Sequence, residues 1–133
     1  MHKHKARVYF SDTDAGGIAY HARYLDWAEH ARTEMLRDLL PALSQESLRC
    51  LGFAFVVRSI KIDYLAPAYL DDEITVVSSM VQLGAVSGVI HQAIYRDETL
   101  LSSLDVKVAF IDTNTKMPTR LPEELGRALK ELM

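Results

Sequence analysis

A single cysteine in 133 residues, Cys50, excludes an internal disulfide framework and any thiolate zinc cluster. Charge of one sign is also missing. Fifteen Lys and Arg against 18 Asp and Glu leave a formal net charge of −3, so nothing in the balance draws nucleic acid. No apolar run approaches a membrane span, and the opening MHKHKARVYF lacks the apolar stretch of a signal peptide. With four prolines and six glycines scattered along the chain there is no linker, repeat or low-complexity tract, and one domain over residues 1–133 is expected. The phosphate and nucleophile fingerprints are absent as well: no G-x-G-x-x-G after a strand, no Walker-type loop, no G-x-S-x-G elbow. The expectation is a cytoplasmic protein with no cofactor, no resident metal and no integral membrane segment.

What is present is the composition of a folded domain, 49% hydrophobic and 25% charged. A chain of this length buries about 65–70% of its unfolded surface. A core and a substrate groove together ask much of it, which favours an oligomer. HKHK near the start reads as an exposed basic tail. From Ala22 to Leu40, Tyr24, Trp27, Ala28, Ala31, Met35 and Leu39 recur near a 3.6-residue period, predicting a long helix stopped by Pro41. SQESLRCL predicts a short helix closed by Gly52.

From Phe53 onward the pattern is that of strands. In FAFVVRSIKIDY the alternation slips by one near Arg58 and Ser59, predicting a bulge. EITVVSSMVQL and VSGVIHQAIYR read as a hairpin, and LLSSLDVKVAFID follows with Leu100, Leu104, Val106, Val108 and Phe110 on one face. Pro122 is placed at position N1 of a last amphipathic helix. The order is a strand, the long helix, four strands joined by tight turns and a last helix, which predicts an α+β domain, an antiparallel sheet packed on one central helix.

The candidate chemistry lies in FSDTDAGGIAYHARY, where acids, glycines and a histidine meet a helix start. Asp12 and Asp14 have an ordinary reading as turn residues, and Gly16 and Gly17 as carriers of positive φ. Together at a strand-to-helix junction they also make a workable site. Unpaired N–H groups at a helix N-terminus hold a polarised carbonyl, glycines allow close approach, and a carboxylate acts as nucleophile or general base. Asp12, Asp14 and His21 are reasonable metal ligands by type, but no second carboxylate–histidine cluster accompanies them, and a metal site is not expected. Cys50 and His91 read as structural. Trp27, Met35, Phe53 and Phe55 read as core, with an acyl groove as the alternative.

The stretch RVYFSDTDAGGIAYHARYLDWAEHARTEMLR, continued by FVVRSIKIDYLAPAYLDDEI and MPTRLPEEL, resembles the 4-hydroxybenzoyl-CoA thioesterase family, in particular its Tol-Pal-associated YbgC-like members. The resemblance implies a hotdog fold, a long helix wrapped by a curved antiparallel sheet, in a homodimer or homotetramer with active sites at the subunit interface. It implies hydrolysis of an acyl-CoA thioester, with Asp14 as the catalytic carboxylate and the helix N-terminus at His21 polarising the carbonyl; the His21 side chain is implicated too. Gly17 and Tyr20 are expected at the substrate, and Arg58 and Lys61 at the CoA phosphates. The chain departs from the family at Phe10, where relatives commonly carry tyrosine; Tyr9 and Tyr20 are the nearest replacements for the lost hydroxyl. That departure supports an alternative, a non-catalytic hotdog protein binding acyl-CoA or acyl carrier protein.

Overall fold

The apolar stripe folds as α1, Arg23–Leu39, in the computed structural model, which describes residues 1–41 and 44–133. Its inward face buries Tyr24, Trp27, Ala28, Ala31, Met35 and Leu36, while Asp26, Glu29 and His30 stay in solvent. The helix ends where the Leu40 N–H reaches the Leu36 carbonyl, just before Pro41. A short helix, α2 (Gln45–Cys50), is capped by the Ser44 hydroxyl, and Gly52 follows it at φ 85°, the left-handed conformation that ends a helix without strain.

Five strands form one antiparallel sheet: β1 (His2–Arg7), β2 (Phe53–Tyr64), β3 (Glu73–Leu83), β4 (Ser87–Arg96) and β5 (Thr99–Asp112), in the order β1-β3-β4-β5-β2. α1 lies against one face, and α3 (Glu123–Lys130) closes the core by burying Leu125 and Leu129. Pro122 is the N-cap of α3 rather than its first helical residue. The slip predicted in β2 is present as a register shift between Val57 and Ser59. Two further shifts, between Met80 and Gln82 and between Ile94 and Tyr95, interrupt the other ladders.

Two expectations are corrected. HKHK is not a free tail: it forms most of β1, an edge strand paired to β3 through His2–Ser78 to Arg7–Glu73. Its lysines point to solvent, while the half-buried ring of His2 meets the Asp38 carboxylate of α1 at 2.7 Å. With polar residues at both parities, the stretch carries no alternation that marks a strand, and its partner lies some 70 residues away. In β5 the buried residue is Leu101, fully covered, not Leu100. The irregularity opposite Tyr95 shifts the register, so alternation counted back from Leu104 misses it.

One polar knot crosses the apolar layer between helix and sheet. Gln92 of β4, fully buried, donates from Nε2 to the Ala28 carbonyl at 2.9 Å and to Ser78 Oγ at 3.0 Å. Its Oε1 accepts from Arg32 Nη1 at 2.9 Å. Burial pushes the Arg32 pKa below the usual guanidinium value, yet guanidinium remains charged at neutral pH. Gln92→Met strands this cation and the Ala28 carbonyl together, and should cost about 2–3 kcal/mol, read as a lower denaturation midpoint at constant slope. The double variant Arg32→Met/Gln92→Met should recover part of that loss, because it removes the orphaned charge as well. Strictly additive losses would mean the two side chains act independently.

Candidate active site

The site grows from a small hairpin that joins β1 to α1. Residues Phe10–Asp12 form a single 3-10 turn. Asp12 Oδ2 accepts the Tyr9 N–H at 2.9 Å, so this carboxylate is spent on the turn itself. Thr13 then bridges to Ala19 in antiparallel fashion, with Asp14 N–H bonded to the Ile18 carbonyl and Tyr20 N–H to the Asp12 carbonyl. Between these arms the chain reverses over Asp14, Ala15, Gly16 and Gly17.

Asp14 is exposed on this loop. Its Oδ1 accepts the Gly16 N–H at 2.8 Å, which fixes the side chain, while Oδ2 has no hydrogen-bond partner among the described residues. The two glycines are there for different reasons. A Cβ on Gly16 would stand 3.1 Å from Asp14 Oδ1, pressing on the carboxylate. Gly17 sits at φ 82°, which a side chain tolerates poorly. The loop therefore presents one free carboxylate oxygen from an anchored side chain.

The hairpin is seated on the β2–β3 connection. Ala19 N–H bonds the Ala68 carbonyl at 2.9 Å, and Ala68 N–H returns to the Tyr24 hydroxyl of α1 at 3.0 Å. Asp72 holds that connection closed by accepting the Tyr69 N–H and Arg96 Nη1, each at 2.8 Å. Asp71, at φ 71°, and Asp72 thus form the turn that leads into β3.

Helix α1 begins without a side-chain cap. Its N-cap is Ala22, where Ser, Thr, Asp or Asn would ordinarily satisfy a free N–H. Among the described residues, neither the His21 nor the Ala22 N–H has an acceptor. These donors sit at the positive end of a 17-residue helix. The His21 ring is exposed and flanked by two tyrosines: Tyr20 at a centroid distance of 4.4 Å and Tyr64 edge-on at 6.3 Å. Tyr64 Oη donates to the His21 carbonyl at 2.8 Å, fixing the turn that presents those amides. Burial raises the Tyr64 and Tyr24 pKa values, keeping both phenols protonated as donors or polar anchors.

The fold brings Asp14, Gly17, Tyr20 and His21 into one hairpin and helix start. Arg58 and Lys61 lie elsewhere, farther back along β2. Arg58 is the residue skipped by the register shift, and Lys61 pairs across the ladder with Asp105, whose carboxylate already engages His91 Nδ1 at 2.8 Å. Tyr64 was not singled out by the sequence, because as the last aromatic of a strand it carries no mark of its contact with His21. Trp27 and Met35 are core, and Phe53 and Phe55 pack on Phe110. The cavity of about 30 Å³ beside Met35 and Phe55 has room for a water or two and not for an acyl chain. Asp12, Asp14 and His21 form no metal-holding group; none of three or more such residues exists among the described ones. No helix among them is long and apolar enough to cross a membrane.

Known proteins share the fold and much of the sequence. Residues 8–129 match the thioesterase-like superfamily. The chain is 40% identical over 126 residues to the acyl-CoA thioesterase YbgC of Haemophilus influenzae, covering 95% of this chain and 92% of that one. A probable thioesterase from Bartonella henselae superposes with a TM-score of 0.84 at 35% identity, over 91% of this chain and 98% of the other. The 1,4-dihydroxy-2-naphthoyl-CoA thioesterase of Synechocystis does so with a TM-score of 0.89 at 25% identity, over 98% and 96%. The fold is the hotdog, and the chain belongs to the thioesterase-like superfamily, among its YbgC-type members.

Proposed function

We propose that this protein hydrolyses acyl-CoA thioesters to a carboxylic acid and CoA. The observation that carries the reading is the uncapped start of α1 beside an anchored carboxylate. The thioester carbonyl sits against the free N–H groups at His21 and Ala22, which stabilise the oxyanion as it forms. One such donor is worth about 2.7–4 kcal/mol in other hydrolases. Asp14 either takes a proton from the attacking water or attacks the carbonyl carbon itself, in which case water afterwards cleaves the resulting mixed anhydride, frees the carboxylic acid and restores Asp14. The C–S bond then breaks, and CoA leaves as a thiolate that is only a moderate base, its thiol pKa near 8.5. Gly17 leaves room for the substrate, and the Tyr20 and His21 rings bound the entrance. The 40% identity to a YbgC acyl-CoA thioesterase over nearly the whole chain supports the same chemistry. A cytoplasmic location fits the single free thiol.

The working unit in this reading is at least a dimer. β2 is an edge strand, and its last nine residues, Val56 to Tyr64, are exposed with the exception of Ile62. Val57 and Tyr64 are 47% and 46% accessible, leaving an apolar edge of the kind that pairs with another strand. Because Tyr64 ends that edge and touches His21, a second copy paired there walls the active site. The competing reading, binding of acyl-CoA or acyl carrier protein without turnover, draws on Phe10, whose ring is 80% exposed and offers no hydroxyl.

Four measurements test this. Asp14→Asn should lower kcat for acyl-CoA hydrolysis by about 100-fold or more with the melting temperature unchanged; turnover like that of the unmodified protein would remove Asp14 from the mechanism. Thiol release from a panel of acyl-CoA substrates decides between the readings, since binding without release for every thioester favours the non-catalytic one. Tyr64→Phe frees the His21 carbonyl and should reduce kcat about tenfold at constant KM, a split that simple loss of stability would not produce. Val57→Arg should shift the protein toward monomers in light scattering, with activity falling in parallel. A fully active monomer would show that the site is complete in one chain.

A further inference from the structure

Helix α1 opens on a cation. Arg23 is its first residue, at the end of the helix where the macrodipole favours acids and disfavours Lys and Arg. The charge is not left against the dipole in open solvent. Arg23 Nη1 donates to Asp26 Oδ2 at 3.1 Å, and Nε stands 3.6 Å from Asp12 Oδ1. Nε itself is covered from solvent and makes no hydrogen bond. The Asp12 side chain is only 17% exposed, so this pair is better shielded than an ion pair on the open face of α1 such as Arg37–Glu34.

Asp12 is the joint of the hairpin that carries Asp14. Its Oδ2 accepts the Tyr9 N–H at 2.9 Å on the incoming arm, and its carbonyl accepts the Tyr20 N–H at 2.8 Å on the outgoing one. The Tyr20 carbonyl in turn accepts the Arg23 N–H at 2.9 Å. Arg23, Tyr20 and Asp12 therefore close a ring of two backbone hydrogen bonds and one ion pair at the foot of the loop. Asp14 leaves that ring on one side, two residues after Asp12. The free His21 and Ala22 amides leave it on the other, between Tyr20 and Arg23. The backbone bonds hold the two arms to each other. The ion pair ties the incoming arm directly to the first turn of α1.

We propose that Arg23 is a positioning residue for thioester hydrolysis: through Asp12 it holds the Asp14 carboxylate at a fixed distance from the amides at His21 and Ala22. The proposal rests on the acyl-CoA reading above. Attack on a carbonyl seated at those amides needs the carboxylate, or the water it activates, in close register with them. A misplacement of about 1 Å costs up to about 100-fold in rate. Loss of the ion pair costs little stability, because a partly exposed pair is weak and its removal also takes a cation away from the positive end of the helix. Stability and turnover therefore separate at this residue.

Arg23→Gln and Asp12→Asn each remove the ion pair, and the amide oxygen introduced by Asp12→Asn still accepts the Tyr9 N–H. Each should lower kcat for acyl-CoA hydrolysis about tenfold, with KM within about twofold and the melting temperature unchanged. The double variant should be no slower than the slower single one, since both changes break one link. Arg23→Lys keeps the charge and should stay within about threefold of the unmodified protein. Arg49→Gln, which breaks the exposed Glu46–Arg49 pair of α2, is the control and should leave kcat as it is. Amide hydrogen exchange reads the clamp without catalysis. In Arg23→Gln the Tyr20 N–H should exchange about tenfold faster while amides in β4 and β5 keep their rates. Unchanged kcat in Arg23→Gln, or additive losses in the double variant, overturns the proposal. So does a loss in Arg23→Lys equal to that in Arg23→Gln, or a fall in melting temperature that accounts for the lost activity. If the unmodified protein hydrolyses no acyl-CoA, the reading above fails by itself, and Tyr20 exchange still decides the clamp: an unchanged rate overturns it.

Discussion

The seating of α1 on the sheet is the constraint on which the remainder of the molecule depends. An apolar stripe alone would let the helix slide or rotate over a greasy surface. Gln92 prevents this by bonding the Ala28 carbonyl and Arg32 of the helix and Ser78 of β3 from one buried amide. Tyr24 adds a second pin by accepting the Ala68 N–H at the helix's first turn. A buried polar group left unpaired costs far more than a methyl contact gains, so these bonds select one position along the helix axis where packing would accept several.

That position sets the chemistry. Because Tyr24 and Ala68 are joined, and Ala68 also holds Ala19, the helix start, the Asp14 hairpin and the β2–β3 connection move as one unit. The amides at His21 and Ala22 are aimed by the turn before α1, and Tyr64 fixes that turn through the His21 carbonyl. The helix has no capping side chain, and the His21 and Ala22 N–H groups that precede it have no acceptor among the described residues. A Ser or Asp at position 22 would cap the helix through the N–H of Tyr24 or Leu25 and firm up its first turn.

The bulges serve the sheet in a similar way. A strand as long as β2 cannot stay flat while following α1, and the shift at Arg58 changes the phase of its apolar residues from Phe53, Phe55 and Val57 to Ile60, Ile62 and Tyr64. This places Tyr64 toward His21 and lifts Arg58 from the ladder.

The sequence by itself determined the long helix, the order of the strands, the β2 bulge and the loop carrying Asp14 and His21, because each is written in neighbouring residues as a period, a phase slip or a turn. Resemblance then narrowed the family, on motifs equally local. Tertiary structure alone decided what non-local contact controls. HKHKAR became a strand only by pairing with β3, and Leu101 replaced Leu100 in the core only because the β4–β5 ladder slips. Tyr64 acquired a role by meeting a carbonyl 43 residues away. Periodicity tells which face a side chain takes, but which atoms lie opposite that face is set by chain closure over distances that no local pattern encodes.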